Sequence, residues 1–170
     1  MSDATQTLTL RPPTVADGAR MHALVRACPP LEVNSCYTYL LMAHHFSTTS
    51  ALAEDREGLV GLVAGYRLPE DPEVLFVWQI GVHRRARGLG LGVRLLTHVI
   101  ERPAFVPVRY LEATVAPANA ASRRLFQGLA KMSAVPCRAL PGFEARHFGG
   151  IPHDGETLFR LGPFRQAPQA

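Results

Sequence analysis

The residues Arg87-Gly88-Leu89-Gly90-Leu91-Gly92 tie this sequence most directly to chemistry. They follow the apolar run Val74–Val82 and the basic stretch His83-Arg84-Arg85-Ala86, and a helical pattern comes after them. Glycines at 88, 90 and 92 let the backbone approach a ligand closely, because no Cβ stands in the way. Successive N–H groups can then point outward together. The first turn of the following helix adds partial positive charge, and the whole makes a seat for an anion. Arg87 can add charge-assisted hydrogen bonds to phosphate oxygens. The order G-x-G-x-G differs from the dinucleotide-binding G-x-G-x-x-G, and the Lys-Ser/Thr ending of a P-loop is missing. A glycine run can also be a tight strand-to-helix connection with no ligand, and spacing alone leaves that reading open.

Other reactive groups are scattered. Glu112 interrupts an apolar stretch, and a buried carboxylate needs a partner. Glu112 and Thr114 share one face of a strand by its period of two. His153, Asp154 and Glu156 form a polar group that could equally be a turn. The three cysteines, Cys28, Cys36 and Cys137, are odd in number and lack C-x-x-C spacing. That argues against a disulfide framework or zinc site and for reduced, buried thiols. His44, His45 and His147 match no strong metal-ligand spacing, so no metal is expected.

These groups need elements to position them. Residues 6–11 alternate as a short strand, broken by Pro12 and Pro13. Thr14, with Asp17 three residues on, predicts a helix start capped by Thr14. Met21, Leu24, Val25 and Cys28 continue it at helical spacing until Pro29 and Pro30. Asn34 is placed to cap a second helix with Tyr37, Leu40, Leu41 and His44 on one side. Gly58–Arg67 predicts a strand, and Leu68-Pro69-Glu70-Asp71-Pro72 a turn. Val74–Val82 is the strongest strand, and its apolar run with Phe76 and Trp78 predicts burial on both faces. After the glycine loop a helix runs to near Pro103 with Val93, Leu96 and Ile100 inward. Tyr110–Val115 predicts a strand closed by Pro117. Asn119 opens a helix with Ser122, Leu125, Phe126 and Leu129 at i, i+3, i+4 and i+7. Residues 136–150, rich in Pro and Gly, show no clear pattern. Residues 156–161 predict a closing strand before a disordered tail. The order implies an α/β fold, a mixed central sheet flanked by helices on both faces.

A chain of 170 residues with 47% hydrophobic and 19% charged residues fits one globular domain, with an ordered core expected over about 6–163. No apolar run approaches the roughly 20 residues of a membrane span. The first six residues do not form a secretory signal, so a cytoplasmic location is expected. The net charge is +4 and the pI near 9.3. The densest basic cluster, Arg84, Arg85 and Arg87, lies against the glycines. That suits a compact polyanion such as a pyrophosphate better than a nucleic-acid backbone.

With these residues in view, the chain resembles the GNAT superfamily. Arg87-Gly88-Leu89-Gly90-Leu91-Gly92 matches its R/Q-x-x-G-x-G/A signature. Val82-His83 upstream and Asn119-x-x-Ser122-x-x-Leu125-Phe126 downstream fit as well, so the match spans roughly 58–132. A closer resemblance covers nearly the whole chain. Asn34-Ser-Cys-Tyr-x-Tyr-Leu, Leu59-Val-Gly to Gly65-Tyr-Arg, Pro69-Glu-Asp-Pro, Leu75-Phe-Val-Trp-Gln, Arg109-Tyr-Leu-Glu-Ala-Thr-Val and Leu158-Phe-Arg-Leu-Gly-Pro163 are similar to the L-2,4-diaminobutyrate acetyltransferase family. That family makes N4-acetyl-diaminobutyrate, from which the compatible solute ectoine is formed.

The resemblance implies the GNAT acyl-CoA N-acyltransferase fold and a homodimer that acetylates the 4-amino group of diaminobutyrate with acetyl-CoA as co-substrate. It implies that residues 87–92 (Arg87, Gly88, Leu89, Gly90, Leu91, Gly92) hold the pyrophosphate. It places an oxyanion donor on the backbone around Ile80 to Val82 and gives Asn119, which could merely cap its helix, a cofactor contact with Ser122. A terminal alkylammonium has a pKa of about 10, so the site must help to remove a proton. Glu112, Glu156 and His153 are the candidates. Where the superfamily often has a tyrosine acid this chain has Phe126, which cannot donate, and Tyr37 is the candidate replacement. Glu32, Tyr37, Trp78, Thr114, His153 and Glu156 are expected to bind the diamino acid. Glu32 also reads as a solvated loop acid, and Tyr37 and Trp78 also fit a core role. Another GNAT acting on a different amine or a protein N-terminus, a non-catalytic acyl-CoA sensor and a nucleic-acid module are the alternatives.

Overall fold

The computed structural model describes residues 8–165, and within them the periodicities of the sequence become seven strands and four α-helices. Two units divide the chain. One comprises the described part of Met1–Tyr66 together with Gln79–Val99, the other Arg67–Trp78 and the described part of Ile100–Ala170.

The first unit contains β1 (Thr9–Arg11), α1 (Gly18–Arg26), α2 (Cys36–His45), β2 (Ala51–Asp55), nearly all of β3 (Gly58–Arg67), the second half of β4 (Val74–Val82) and nearly all of α3 (Leu91–Ile100). Its strand order is β1-β2-β3-β4, with β1–β2 and β2–β3 antiparallel. Met21, Leu24 and Val25 of α1, Tyr39, Met42 and Ala43 of α2, and Leu91, Leu95, Leu96 and Val99 of α3 are buried. Each large apolar side chain so removed from water contributes roughly 1.5–3 kcal/mol.

The second unit contains the first half of β4, β5 (Tyr110–Val115), α4 (Ala120–Met132), β6 (Cys137–Pro141) and β7 (Thr157–Leu161), in strand order β4-β5-β7-β6. The parallel β4–β5 ladder runs from Val74/Tyr110 to Phe76/Glu112. Trp78 and Thr114 each follow two residues after its last pair. β5–β7 and β6–β7 are antiparallel.

The structure corrects several expectations. Ser35, not Asn34, caps α2, its Oγ accepting from Thr38 N–H at 3.3 Å. The buried face of α2 carries Tyr39, Met42 and Ala43, while Tyr37 and His44 are exposed. The helix is apolar nearly all round, so its pattern could not say which side faces inward. β4 is not buried on both faces: Phe76, Trp78, Ile80 and Val82 keep partial access. A continuous apolar run does not distinguish a packed face from one left partly open. In α3 the inward face is Leu91, Leu95, Leu96 and Val99, with Val93 and Ile100 only half-buried. β2 and β6 lacked a sequence signal. β2 is short and alanine-rich, and β6 is almost wholly exposed and held through β7. The first strand begins at Thr9, residues 6 and 7 lying outside the described residues. Phe164, expected in a disordered tail, is buried and donates its N–H to Arg109 O at 2.8 Å, while residues 166–170 lie outside the described residues.

The buried carboxylate of Asp17 ties β1 to the start of α1. It accepts two hydrogen bonds from Arg11 at 2.8 Å, others from Thr14 N–H (2.9 Å) and Thr14 Oγ1 (3.0 Å), and one from Arg20 (3.1 Å). Arg11 and Arg20 also reach Glu54 on β2. The hydrogen bonds from Arg11 hold Asp17 well below the usual carboxylate range. Because the folded pKa is depressed, this stabilisation is complete above about pH 4, the unfolded aspartate range, and is lost as pH falls from there toward the folded value. Asp17→Asn is expected to lower stability at pH 7 by about 2–4 kcal/mol. In urea melts across pH, the difference from the wild type should shrink below about pH 4.

Candidate active site

In the first unit, β4 ends in a fixed turn. His83 N–H donates to Val60 O (2.8 Å), and Ala86 N–H donates to His83 O (2.9 Å). Arg87 then folds back, its Nε donating to Val82 O at 3.0 Å. Gly88 and Gly90 follow at φ +77° and +69°, conformations that L side chains rarely adopt. Beyond its chain neighbours, a Cβ at either would meet no heavy atom of the described residues within 4 Å, so the loop is open there. Leu89 is 69% exposed. α3 begins at Leu91, which puts Gly92 in its first turn rather than in the loop. Leu91 buries its side chain and can offer a ligand only its backbone. The first N–H groups of a helix lack intrahelical partners and suit an anion.

The three clustered arginines are not equivalent. Arg85 is engaged by Asp55 (2.7 Å) and Glu57 (3.3 Å), whereas Arg84 and Arg87 are exposed beside the glycines. The positive charge over the loop is therefore compact. All three cysteines are free, and burial pushes the Cys28 thiol up, against the charge of nearby Arg87. Burial likewise raises Cys137. Neither has the lowered pKa of a nucleophilic cysteine.

The same unit holds Glu32, Tyr37, Ile80 and Val82. Glu32 projects an exposed side chain, and Tyr37 is 66% exposed on α2. Ile80 and Val82 lie on the partly open face of β4. Two residues passed over in the sequence link this region. Tyr39, fully buried, donates its OH to Gln79 Oε1 at 3.0 Å, and Gln79 Nε2 donates to Glu32 O at 2.8 Å. A glutamine inside an apolar strand was the available signal, since a buried amide needs partners.

The second unit holds the other candidates. Glu112, 7% exposed, is paired with Arg160 of β7, whose guanidinium lies 4.1 Å from the centre of the Tyr110 ring. Arg160 engages Oε1. Thr114 and Trp78 are half-buried. His153 stacks on Phe148, with ring centres 3.6 Å apart and planes at 6°. Its Nδ1 accepts from Gly155 N–H at 3.0 Å, so the neutral ring carries its proton on Nε2. That nitrogen lies 3.8 Å from Glu156 Oε1. The structure thus brings His153 and Glu156 together. A cleft of about 260 Å³, lined by Glu156, Asp154, Glu144, Phe143 and Thr157 among others, lies alongside. Asn119 caps α4, its Oδ1 accepting from Ser122 N–H at 3.0 Å. Phe126 is buried and has no proton to give. Among the described residues no group of three or more His, Cys, Asp or Glu could hold a metal ion.

The glycine loop at the end of β4 is thus open, with exposed Arg84 and Arg87 beside it. The family model of the Acetyltransferase (GNAT) family matches residues 19–130. The chain belongs to the GNAT acetyltransferases. Within this family it is 49% identical over 160 residues to the L-2,4-diaminobutyric acid acetyltransferase of Bordetella parapertussis, covering 94% of this chain and 86% of that one. The corresponding protein of Chromohalobacter salexigens is 46% identical over 165 residues, covering 96% and 85%. Among solved GNAT structures, the diaminobutyrate acetyltransferase of Paenibacillus lautus, in complex with L-2,4-diaminobutyric acid and coenzyme A, aligns with a TM-score of 0.88 at 37% identity, over 96% of this chain and 99% of that one. The ribosomal-protein-S18-alanine N-acetyltransferase of Escherichia coli aligns at 0.69 with 14% identity, a likeness of fold alone.

Proposed function

We propose that this GNAT chain transfers the acetyl group of acetyl-CoA to the 4-amino group of L-2,4-diaminobutyrate, giving N4-acetyl-L-2,4-diaminobutyrate. The observation that carries this reading is the near full-length likeness to a diaminobutyrate acetyltransferase solved with that amino acid and coenzyme A. The open cradle at Gly88 and Gly90 supports it, because it fits the pyrophosphate of such a co-substrate. When bound, acetyl-CoA supplies the acetyl group as an activated thioester.

In this reading Arg87, Gly88, Leu89, Gly90, Leu91 and Gly92 hold the pyrophosphate, and Asn119 and Ser122 add contacts. Backbone N–H groups around Ile80 to Val82 stabilise charge developing on the thioester oxygen. Glu32 and Glu112 attract the ammonium groups of the diamino acid, and Trp78 and Thr114 orient it. Glu156 takes the proton from the 4-ammonium, directly or through water, while His153 Nε2–H steadies its carboxylate. The charge of Glu112 is already shared with Arg160, which favours binding over proton transfer for that residue. Tyr37, exposed and carrying a hydroxyl, serves the leaving thiolate where Phe126 cannot.

In this reading the whole chain acts as one cytoplasmic N-acetyltransferase domain, and the homodimer and the supply of the ectoine precursor rest on the family resemblance. Among the described residues, no helix is long and apolar enough to cross a membrane. The ion pairs on Arg11, Arg20 and Arg85 neutralise part of the positive charge, which speaks against a nucleic-acid partner.

Purified protein given acetyl-CoA and L-2,4-diaminobutyrate should release free thiol and yield product acetylated at N4 by NMR. No release above background, in protein that binds acetyl-CoA, would move the assignment to another small amine, a protein N-terminus or a sensing role.

A further inference from the structure

Gln79 is a buried amide in a strand otherwise built of apolar residues and one glycine. Both ends of its amide are bonded, as burial requires. Oε1 accepts from the hydroxyl of buried Tyr39 at 3.0 Å, and Nε2 donates to the backbone carbonyl of Glu32 at 2.8 Å. Tyr39 Oη in turn accepts from Asn34 N–H at 3.5 Å. The backbone is thus moored on both sides of the exposed Val33. A third anchor is steric. A Cβ on Gly81 would lie 2.9 Å from Leu31 Cδ1, so the tip of the Leu31 side chain packs closely over this glycine of β4. The amide therefore ends on the irregular stretch 31–34, from which Glu32 extends an exposed carboxylate.

An exposed carboxylate contributes little to holding an ammonium unless its geometry is fixed in advance. We infer that Gln79 is a positioning residue for the acceptor, fixing the backbone from which Glu32 meets the ammonium of the diamino acid. The inference rests on the reading of Glu32 as an acceptor contact. It assigns Gln79 no role in holding acetyl-CoA.

The test is steady-state kinetics with diaminobutyrate at saturating acetyl-CoA, with acetyl-CoA affinity measured by calorimetry. The variants are Glu32→Ala, Gln79→Leu, Gln79→Glu and the double variant Glu32→Ala/Gln79→Leu. Gln79→Glu keeps the size and the acceptor for Tyr39 and sets a carboxylate oxygen against Glu32 O in place of the donor, so it breaks the same bond if Gln79→Leu does not fold. Each Gln79 variant is expected to raise KM for diaminobutyrate about tenfold, with acetyl-CoA Kd within about twofold of wild type. In the Glu32→Ala background Gln79→Leu should add nothing further. Full additivity with Glu32→Ala, a matching loss of acetyl-CoA affinity, or an unchanged KM in a Gln79 variant while Glu32→Ala raises it, would overturn the positioning role. A Glu32→Ala enzyme with wild-type KM would instead overturn the underlying reading of Glu32.

Discussion

Glu156→Gln is expected to lower kcat for diaminobutyrate acetylation at pH 7 by about 100- to 10 000-fold, the range of general base catalysis. Glutamine has nearly the same shape but cannot take a proton. The side chain lines a cleft and lies 3.8 Å from His153 Nε2. Among the described residues its ion-pair partner is His153, whereas Glu112 carries Arg160 on its carboxylate. Without a base, the variant must draw on the small fraction of acceptor amine that is already neutral. With an amine pKa of about 10, that fraction grows about tenfold per pH unit from pH 7 to 9. The gap between variant and wild type should therefore narrow as pH rises, while acetyl-CoA affinity stays near its original value. Thiol-release rates across that range check both points. A loss of less than about threefold at pH 7 would remove Glu156 from proton transfer and pass the role to Glu112.

Gly90→Val should act on the other substrate. At φ +69° a residue with a Cβ costs about 1–2 kcal/mol, and a β-branched one more. The surrounding space is open, so strain rather than a clash opposes the substitution. The loop can escape that strain by turning its N–H groups away, which dismantles the anion seat. Acetyl-CoA Kd should rise about 100-fold or more, a loss of several charge-assisted hydrogen bonds. The melting temperature should fall by only a few degrees, because the strained residue is exposed. Calorimetric titration with coenzyme A and a thermal melt give the two readings. Unchanged affinity would mean that the glycines serve only the strand-to-helix connection.

The features legible in the sequence are those set by neighbouring residues. Alternation and apolar runs placed β3, β4 and β5 at the bounds the structure shows. The cap of α4 at Asn119 and the glycine loop before α3 are likewise local, since each needs only a few consecutive residues to define it. The family signature falls in that loop, so fold and chemistry could be read together. Local pattern also misled where chemistry is symmetric about an element. On α2 both Tyr37 and Tyr39 fit a buried aromatic, and only packing selects Tyr39.

Tertiary structure alone decided the partners of the polar groups. Tyr39 and Gln79 are 40 residues apart, Glu32 and Gln79 are 47 apart, and Glu112 and Arg160 are 48 apart. Nothing in the neighbourhood of Glu112 announces Arg160; strand register brings them opposite each other. β6 was invisible for the same reason, being held by its ladder to β7 rather than by a pattern of its own. His153 and Glu156 are close in sequence, yet the stack of His153 on Phe148 and the turn at Gly155 are what aim Nε2 at the carboxylate. The sequence by itself determined β3, β4, β5, the cap of α4 and the glycine loop, because short-range sterics and periodicity act along the chain. The pairing of each buried charge and amide was decided by the fold, because desolvation makes a partner obligatory without saying where in the chain it must lie.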